Sequence, residues 1–187
     1  MRDFGENRQN EARDKFPLVP VDDLVSELRP IYHHIGPLQS GASRQIPGLF
    51  DWVHGASSRS ALEKLADACQ RREAAVQYLI QVRLTDEESK AGGMEPAAIR
   101  GQDRFVENDF LKLRGFMTMG PESQDPTETR EVFARLRELR DEILPDGELS
   151  MGMSGDWEIA VEEGATMIRI GSALFGTRGP GPWKPPE

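Results

Sequence analysis

The sequence predicts an α/β protein, a barrel of the TIM-type (β/α)8 kind whose first strand and first helix are missing. Three observations carry that expectation. Short apolar runs alternate with helical patterns along the chain, which is the signature of a parallel sheet with crossover helices. Counting gives seven strands, the first a stub at the very N-terminus, where a closed barrel has eight. The stretch from Glu148 to Gly176 reads strand, tight loop, helix, turn, strand and a second glycine-containing loop, the pattern expected of the last two barrel strands.

Bulk properties narrow the class. With 187 residues the chain is most simply one domain, taken as residues 1–178, followed by a disordered Gly/Pro-rich tail at 179–187. Lys and Arg number 23 against 32 Asp and Glu, a formal charge of −9. That balance disfavours nucleic acid and anionic membranes as partners, but it leaves open a small anion held by local donors. A single cysteine excludes an internal disulfide framework, and Cys69 falls on the apolar side of a helical pattern, so it reads as a buried thiol. The N-terminal residues form no signal-peptide core and no apolar run approaches a membrane span. A cytoplasmic location is expected.

The elements follow in order. Arg2 to Phe4 reads as the tail of a strand and leads through Gly5-Glu6-Asn7 into a polar helix ending near Lys15. Asp22 to Leu28 is a second short helix, closed off before Pro30. Ile31 to Ile35 is a strand, Leu38 to Gln45 has helical potential, and Leu49 to His54 is the next strand. Ser60 with Glu63 reads as a capping box opening the helix of Leu62, Leu65, Ala66 and Cys69. Val76 to Leu84 is the most strand-like run, followed by the polar loop that contains Lys90. Pro96 suits the start of a helix that Gly101 weakens. Leu111 to Met119 is a strand. Asp125 caps the clearest helix, with Pro126 at its first position and Glu128 closing the box. Val132, Phe133, Leu136, Leu139 and Ile143 share one face of it.

Within Glu148–Gly176, Leu149 to Met153 is a strand, Ser154 a cap, and Asp156 lies in the first helical turn, where a negative charge suits the dipole. Gly164 stops that helix and Ala165 to Ile170 is the last strand. A parallel crossover brings both strand ends to one edge of the sheet, so Ser154-Gly155 and Gly171-Ser172 become neighbours. Two loops of small residues with free backbone N–H groups make an anion pocket. The competing reading of these residues is ordinary turn chemistry.

With these motifs in view, the chain resembles the pyridoxal phosphate homeostasis proteins, relatives of the barrel domain of alanine racemase among the fold type III proteins of pyridoxal 5′-phosphate (PLP). The stretches that carry the resemblance are FGENRQNEA, HHIGPLQS, LIQVRLTDEESKAG, LRGFMTMGPESQDPTETREVFARLRELRD and LSMGMSGDWEIAVEEGATMIRIGSALFG, in that order along almost the whole chain. The resemblance implies that the PLP phosphate sits on Ser154, Gly155, Gly171 and Ser172. It implies that Arg169 points at the pyridine nitrogen, with Asn7 near the ring's edge and His33 at the site. A guanidinium there stays protonated and donates, so the ring nitrogen remains unprotonated and the ring is a weaker electron sink than beside an aspartate. Other readings stay open: Arg169 as a core arginine in an ion pair, His33 as a satisfied core histidine, Asn7 as a helix-start residue.

The family's covalent lysine lies on the first barrel strand, and no residue of this chain matches it. Lys90 as a replacement imine lysine is the alternative left open, and against it Asp86, Glu87 and Glu88 would hold it protonated, which favours a solvated salt-bridged loop lysine. The loop Gln39 to Ser43 also lacks the basic residue that often stands there. The resemblance therefore implies a PLP carrier that holds the cofactor noncovalently and serves PLP-dependent apo-enzymes, with no evident catalytic residue and no metal. The rivals are a racemase-like enzyme, which needs a lysine and a second acid–base group, and a degenerate fragment without a ligand.

Overall fold

Six strands follow one another in chain order, and each pairs in parallel with the next, giving the sheet order β1-β2-β3-β4-β5-β6. They are β1 (Asp3–Glu6), β2 (Ile31–Pro37), β3 (Trp52–Ala56), β4 (Val76–Gln81), β5 (Leu111–Met117) and β6 (Glu148–Ser150). The structure, a computed structural model, describes residues 2–19, 29–85, 92–101, 105–123 and 125–176. The expected helix at Asp22–Leu28, Lys90 and the tail at 179–187 lie outside these residues.

Parallel neighbours require crossovers, and helices provide most of them: α1 (Gln9–Lys15), α2 (Arg59–Arg72), α3 (Pro96–Arg100) and α4 (Pro126–Ile143). Two short helices follow β6, α5 (Trp157–Glu162) and α6 (Ser172–Phe175). The sheet is curved. His54 on β3 and Ser150 on β6 are joined by a 2.8 Å hydrogen bond, although three strand spacings in a flat sheet would set them about 14 Å apart. The result is a half-barrel of parallel strands, polar inside at the C-terminal end of its strands and covered by helices outside. The core combines Tyr78, Ile80 and Phe116 of the sheet with Leu62, Leu65, Phe133 and Leu136 of α2 and α4, all fully buried.

Several local expectations change. Leu38–Gln45 forms only a 3₁₀ turn at Ser43–Gln45. The Ser43 hydroxyl donates to the Gln39 carbonyl at 3.0 Å, the local bond by which serine competes with a continuing helix. The cap of α2 is Ser58, whose Oγ accepts from the Ala61 amide at 3.2 Å. Ser60 is already inside the helix, and Glu63 pairs with Arg59 at 2.8 Å instead of closing a box. The last expected strand, Ala165–Ile170, is reduced to a single bridge, Ser150 to Met167. The Leu149 amide is taken by the Thr166 side chain at 2.8 Å. Gly152, at φ +91°, breaks the regular register: the Arg169 amide donates to the Gly152 carbonyl at 2.8 Å, so the two stretches stay side by side without a regular ladder.

The cap of α4 is the one expected. Asp125 Oδ1 accepts from the amides of Thr127 and Glu128 at 2.9 and 3.0 Å. Glu128 does not reach back itself. It accepts from the Ser123 hydroxyl at 2.6 Å, and Ser123 Oγ accepts from the Asp125 amide at 3.3 Å. Asp125→Ala is expected to lower folding stability by about 1 kcal/mol, read as a shift in the urea midpoint at unchanged slope.

Candidate functional site

The site is built where the C-terminal ends of β5 and β6 meet the loops at 154–155 and 171–172. Ser154 does not cap α5. That position belongs to Asp156, which folds back so that its Oδ1 accepts from the Met153 amide at 2.5 Å. Ser154 Oγ instead accepts from the Ala173 amide at 3.3 Å, tying the first loop to the second. Among the described residues, the backbone N–H groups of Ser154, Gly155, Gly171 and Ser172 take no hydrogen-bond partner. Gly155, Gly171 and Ser172 are exposed. The structure thus brings the two loops side by side with their amides free, and a side chain added at Gly171 would meet nothing within 4 Å.

Arg169 turns the other way, onto the inner face of the sheet. Its Nη1 donates to the Ser150 carbonyl at 3.0 Å and to Ser150 Oγ at 2.8 Å, and its Nη2 donates to the Thr118 carbonyl at 3.0 Å. A guanidinium has five N–H donors, so the Nε hydrogen and one on Nη2 remain. The alternative in which Arg169 is locked to a barrel carboxylate does not occur: its three bonds go to neutral acceptors. Burial lowers its pKa to about 10, opposed by the charge of Asp156, so the group stays cationic at neutral pH.

His33 lies on the same inner face. Its Nδ1 is 2.9 Å from His54 Nε2, its Nε2 is 3.1 Å from Asp3 Oδ1, and its ring stacks on Trp52 at a centroid distance of 5.7 Å. Burial lowers the pKa of His33, with Asp3 opposing, and lowers that of His54 to about 2, with His33 and Arg169 adding to the effect. Both rings are neutral. His33 therefore connects to Arg169 through His54 and Ser150. His34 points to the opposite face, as strand alternation requires: it packs edge-on against Phe50 at 5.2 Å, and its Nδ1 has no partner. Asn7 is exposed after β1, and its amide donates to Glu6 Oε1 at 2.8 Å. No hydrogen bond among the described residues joins it to the Arg169 cluster.

Three participants escape a reading of the sequence: Ser150, His54 and Thr118. Each is a buried polar residue in or next to an apolar strand: His54 within β3, Ser150 at the end of β6 and Thr118 just beyond β5. That pattern is the available signal, since a buried polar side chain needs a partner.

A half-barrel of parallel strands, ending in two free-amide loops beside an inward-facing arginine, defines an alanine racemase-like α/β domain. In keeping with that, the family model for the alanine racemase N-terminal domain matches residues 1–179. The pyridoxal phosphate homeostasis protein of Aquifex aeolicus is 35% identical over 183 residues, covering 94% of this chain and 76% of that protein. Its counterpart in Escherichia coli K12 is 34% identical over 184 residues, covering 95% of this chain and 76% of that protein. The chain belongs to the pyridoxal phosphate homeostasis proteins of the alanine racemase N-terminal domain family.

Among solved structures, PipY of Synechococcus elongatus PCC7942 with PLP bound superposes with a TM-score of 0.78 at 34% identity, covering 94% of this chain and 82% of that one. Alanine racemase of Clostridium difficile 630 superposes with a TM-score of 0.69 at 11% identity, covering 97% of this chain and 46% of that one, a likeness of fold alone. Among the described residues, no helix is long and apolar enough to cross a membrane.

Proposed function

We propose that this chain is a PLP-binding homeostasis protein, a single cytoplasmic cofactor domain over residues 1–178 that holds PLP noncovalently for apo-enzymes that need it. The observation that carries the reading is the pair of neighbouring loops whose amides at Ser154, Gly155, Gly171 and Ser172 are free for a phosphate. Backbone donors of this kind suit a dianion because they add no competing charge and are held in place by the chain. When bound, PLP supplies an aldehyde and an electron-withdrawing ring. Arg169 keeps two donors for the ring nitrogen, and as a permanent donor it holds that nitrogen unprotonated. His33 acts on Arg169 rather than on a substrate in this reading, and Asn7 follows the C-terminal end of β1, across the sheet from the loops.

The lysines within the described residues support noncovalent binding. Lys15 pairs with Glu6 and Glu11, Lys64 lies on α2 outside the sheet, and Lys112 begins β5 at the end away from the loops. Relatives that carry the name pyridoxal phosphate homeostasis protein, and PipY with PLP in place, support the choice of ligand.

The test compares PLP with pyridoxal, which lacks the phosphate, by absorbance and fluorescence titration. PLP is expected to bind and pyridoxal to bind at least tenfold more weakly (~1.4 kcal/mol). Gly171→Asp places a carboxylate in open space beside the loop amides and is expected to weaken PLP by about 100-fold through like-charge repulsion, with an unchanged melting curve. Equal affinity for both ligands would remove the phosphate site and the function with it.

A further inference from the structure

A continuous hydrogen-bonded chain crosses the inner face of the half-barrel. It runs from Arg169 Nη1 to Ser150 Oγ at 2.8 Å, from Ser150 Oγ to His54 Nδ1 at 2.8 Å, from His54 Nε2 to His33 Nδ1 at 2.9 Å, and from His33 Nε2 to Asp3 Oδ1 at 3.1 Å. The two ends set its direction. A guanidinium only donates, and a carboxylate only accepts. With both rings neutral, one arrangement of hydrogens satisfies every contact. Arg169 donates to Ser150, the Ser150 hydroxyl donates to His54 Nδ1, His54 Nε2–H donates to His33 Nδ1, and His33 Nε2–H donates to Asp3. The opposite direction would set a bare His33 Nε2 lone pair against the carboxylate.

We propose that Asp3, His33, His54 and Ser150 are positioning residues acting in series, a polarised relay that holds the Arg169 side chain in the one orientation that leaves its Nε hydrogen and one Nη2 hydrogen for the ring nitrogen of PLP. The proposal rests on the PLP reading above. The physical case is that Arg169 has no carboxylate partner, and beyond two backbone carbonyls its one side-chain anchor is the Ser150 hydroxyl. Its three bonds end on Thr118 and Ser150, and the Ser150 hydroxyl is itself oriented only because His54 accepts from it. Bonds in such a chain polarise one another, so each link strengthens the next. His54, Ser150 and His33 are buried, so losing one link strands its neighbours without partners. The relay draws its residues from β1, β2, β3 and β6. It therefore couples the exposed carboxylate of Asp3 at one edge of the sheet to the arginine at the other.

The experiment uses PLP and its analogue with carbon in place of the ring nitrogen, on the wild-type protein and on Ser150→Ala and His54→Phe, together with nitrogen NMR of the histidine rings and of the Arg169 Nε–H. In the wild type, both His33 and His54 are expected as Nε2–H tautomers, and PLP is expected to bind at least tenfold tighter than the analogue. In both variants, the preference for PLP is expected to vanish because PLP weakens while the analogue does not, and the Arg169 signal is expected to shift and broaden. A purely structural role would weaken both ligands alike, and that result overturns the proposal, as does a wild-type His54 carrying its proton on Nδ1. Should the wild type bind neither ligand, the cofactor reading fails by itself. The relay is then decided by the NMR signals, and an Arg169 resonance unchanged in Ser150→Ala sinks it.

Discussion

Gly115→Ala is expected to destabilise the protein by more than about 4 kcal/mol, an exceptional loss for a single substitution. Gly115 lies at φ +154°, a backbone conformation that side-chain-bearing residues rarely adopt. A Cβ there would stand 2.0 Å from the Glu148 carbonyl oxygen and 2.5 Å from the Glu148 amide nitrogen. Both atoms belong to the backbone of β6, which pairs with β5 at this residue. No rotamer change relieves the contact, so the strands must separate.

The same glycine follows an irregularity in the pairing with β4, where Tyr78 opposes Leu113 and Leu79 opposes Gly115, leaving Arg114 unpaired. Separating β5 from β6 displaces Ser150, and with it the two bonds that Arg169 makes to that residue. Urea unfolding measures the loss, and Gly101→Ala serves as the control. A Cβ at Gly101 meets only the Ala98 carbonyl at 3.6 Å, so the control is expected within about 0.5 kcal/mol of wild type. Equal midpoints for the two variants would contradict the close approach.

Acid should unfold the protein well before its carboxylates are neutralised. The chain has three histidines, and all three are buried with lowered pKa values. Burial takes His34 to about 4 against the opposing charge of Glu6, and takes His54 to about 2. An unfolded histidine titrates near 6.5. Between that value and the folded pKa, the unfolded chain binds a proton that the folded chain refuses, so lowering the pH favours unfolding. Stability is therefore full above about pH 7 and falls as the pH drops through 6.5. At pH 5, His34 and His54 each account for about 2 kcal/mol of loss, about 4 kcal/mol together, before His33 is counted. Denaturation curves at pH 7.5 and pH 5 test this. His34→Gln should narrow the difference by about 2 kcal/mol, since the His34 Nδ1 has no partner to lose. Stability that stays flat between the two pH values would rule out buried neutral histidines.

The helix caps show how far residue types alone reach. Asp125-Pro126 announces α4 because both residues act within one turn, and the structure keeps that cap. Ser60 and Ser154 read as caps in the sequence, yet neither holds one, and the cap of α2 is Ser58. Ser154 instead accepts from Ala173, a partner that exists only once the second loop has docked. The last strand fails for a similar reason: Ala165–Ile170 has a strand composition, but Thr166 and the break in register at Gly152 interrupt its ladder against β6.

By itself, the amino-acid sequence determined the parallel order of the strands and the meeting of the loops at 154–155 and 171–172. Crossover connections leave consecutive strand ends on one edge, whatever the details of packing. Only the tertiary structure decided what Arg169 touches. Its link to His33 passes through a bond between His54 and Ser150, 96 residues apart and three strands away. That bond exists because the sheet bends, and the bend is set by how all the strands and helices pack together, a property that no single stretch of residues encodes.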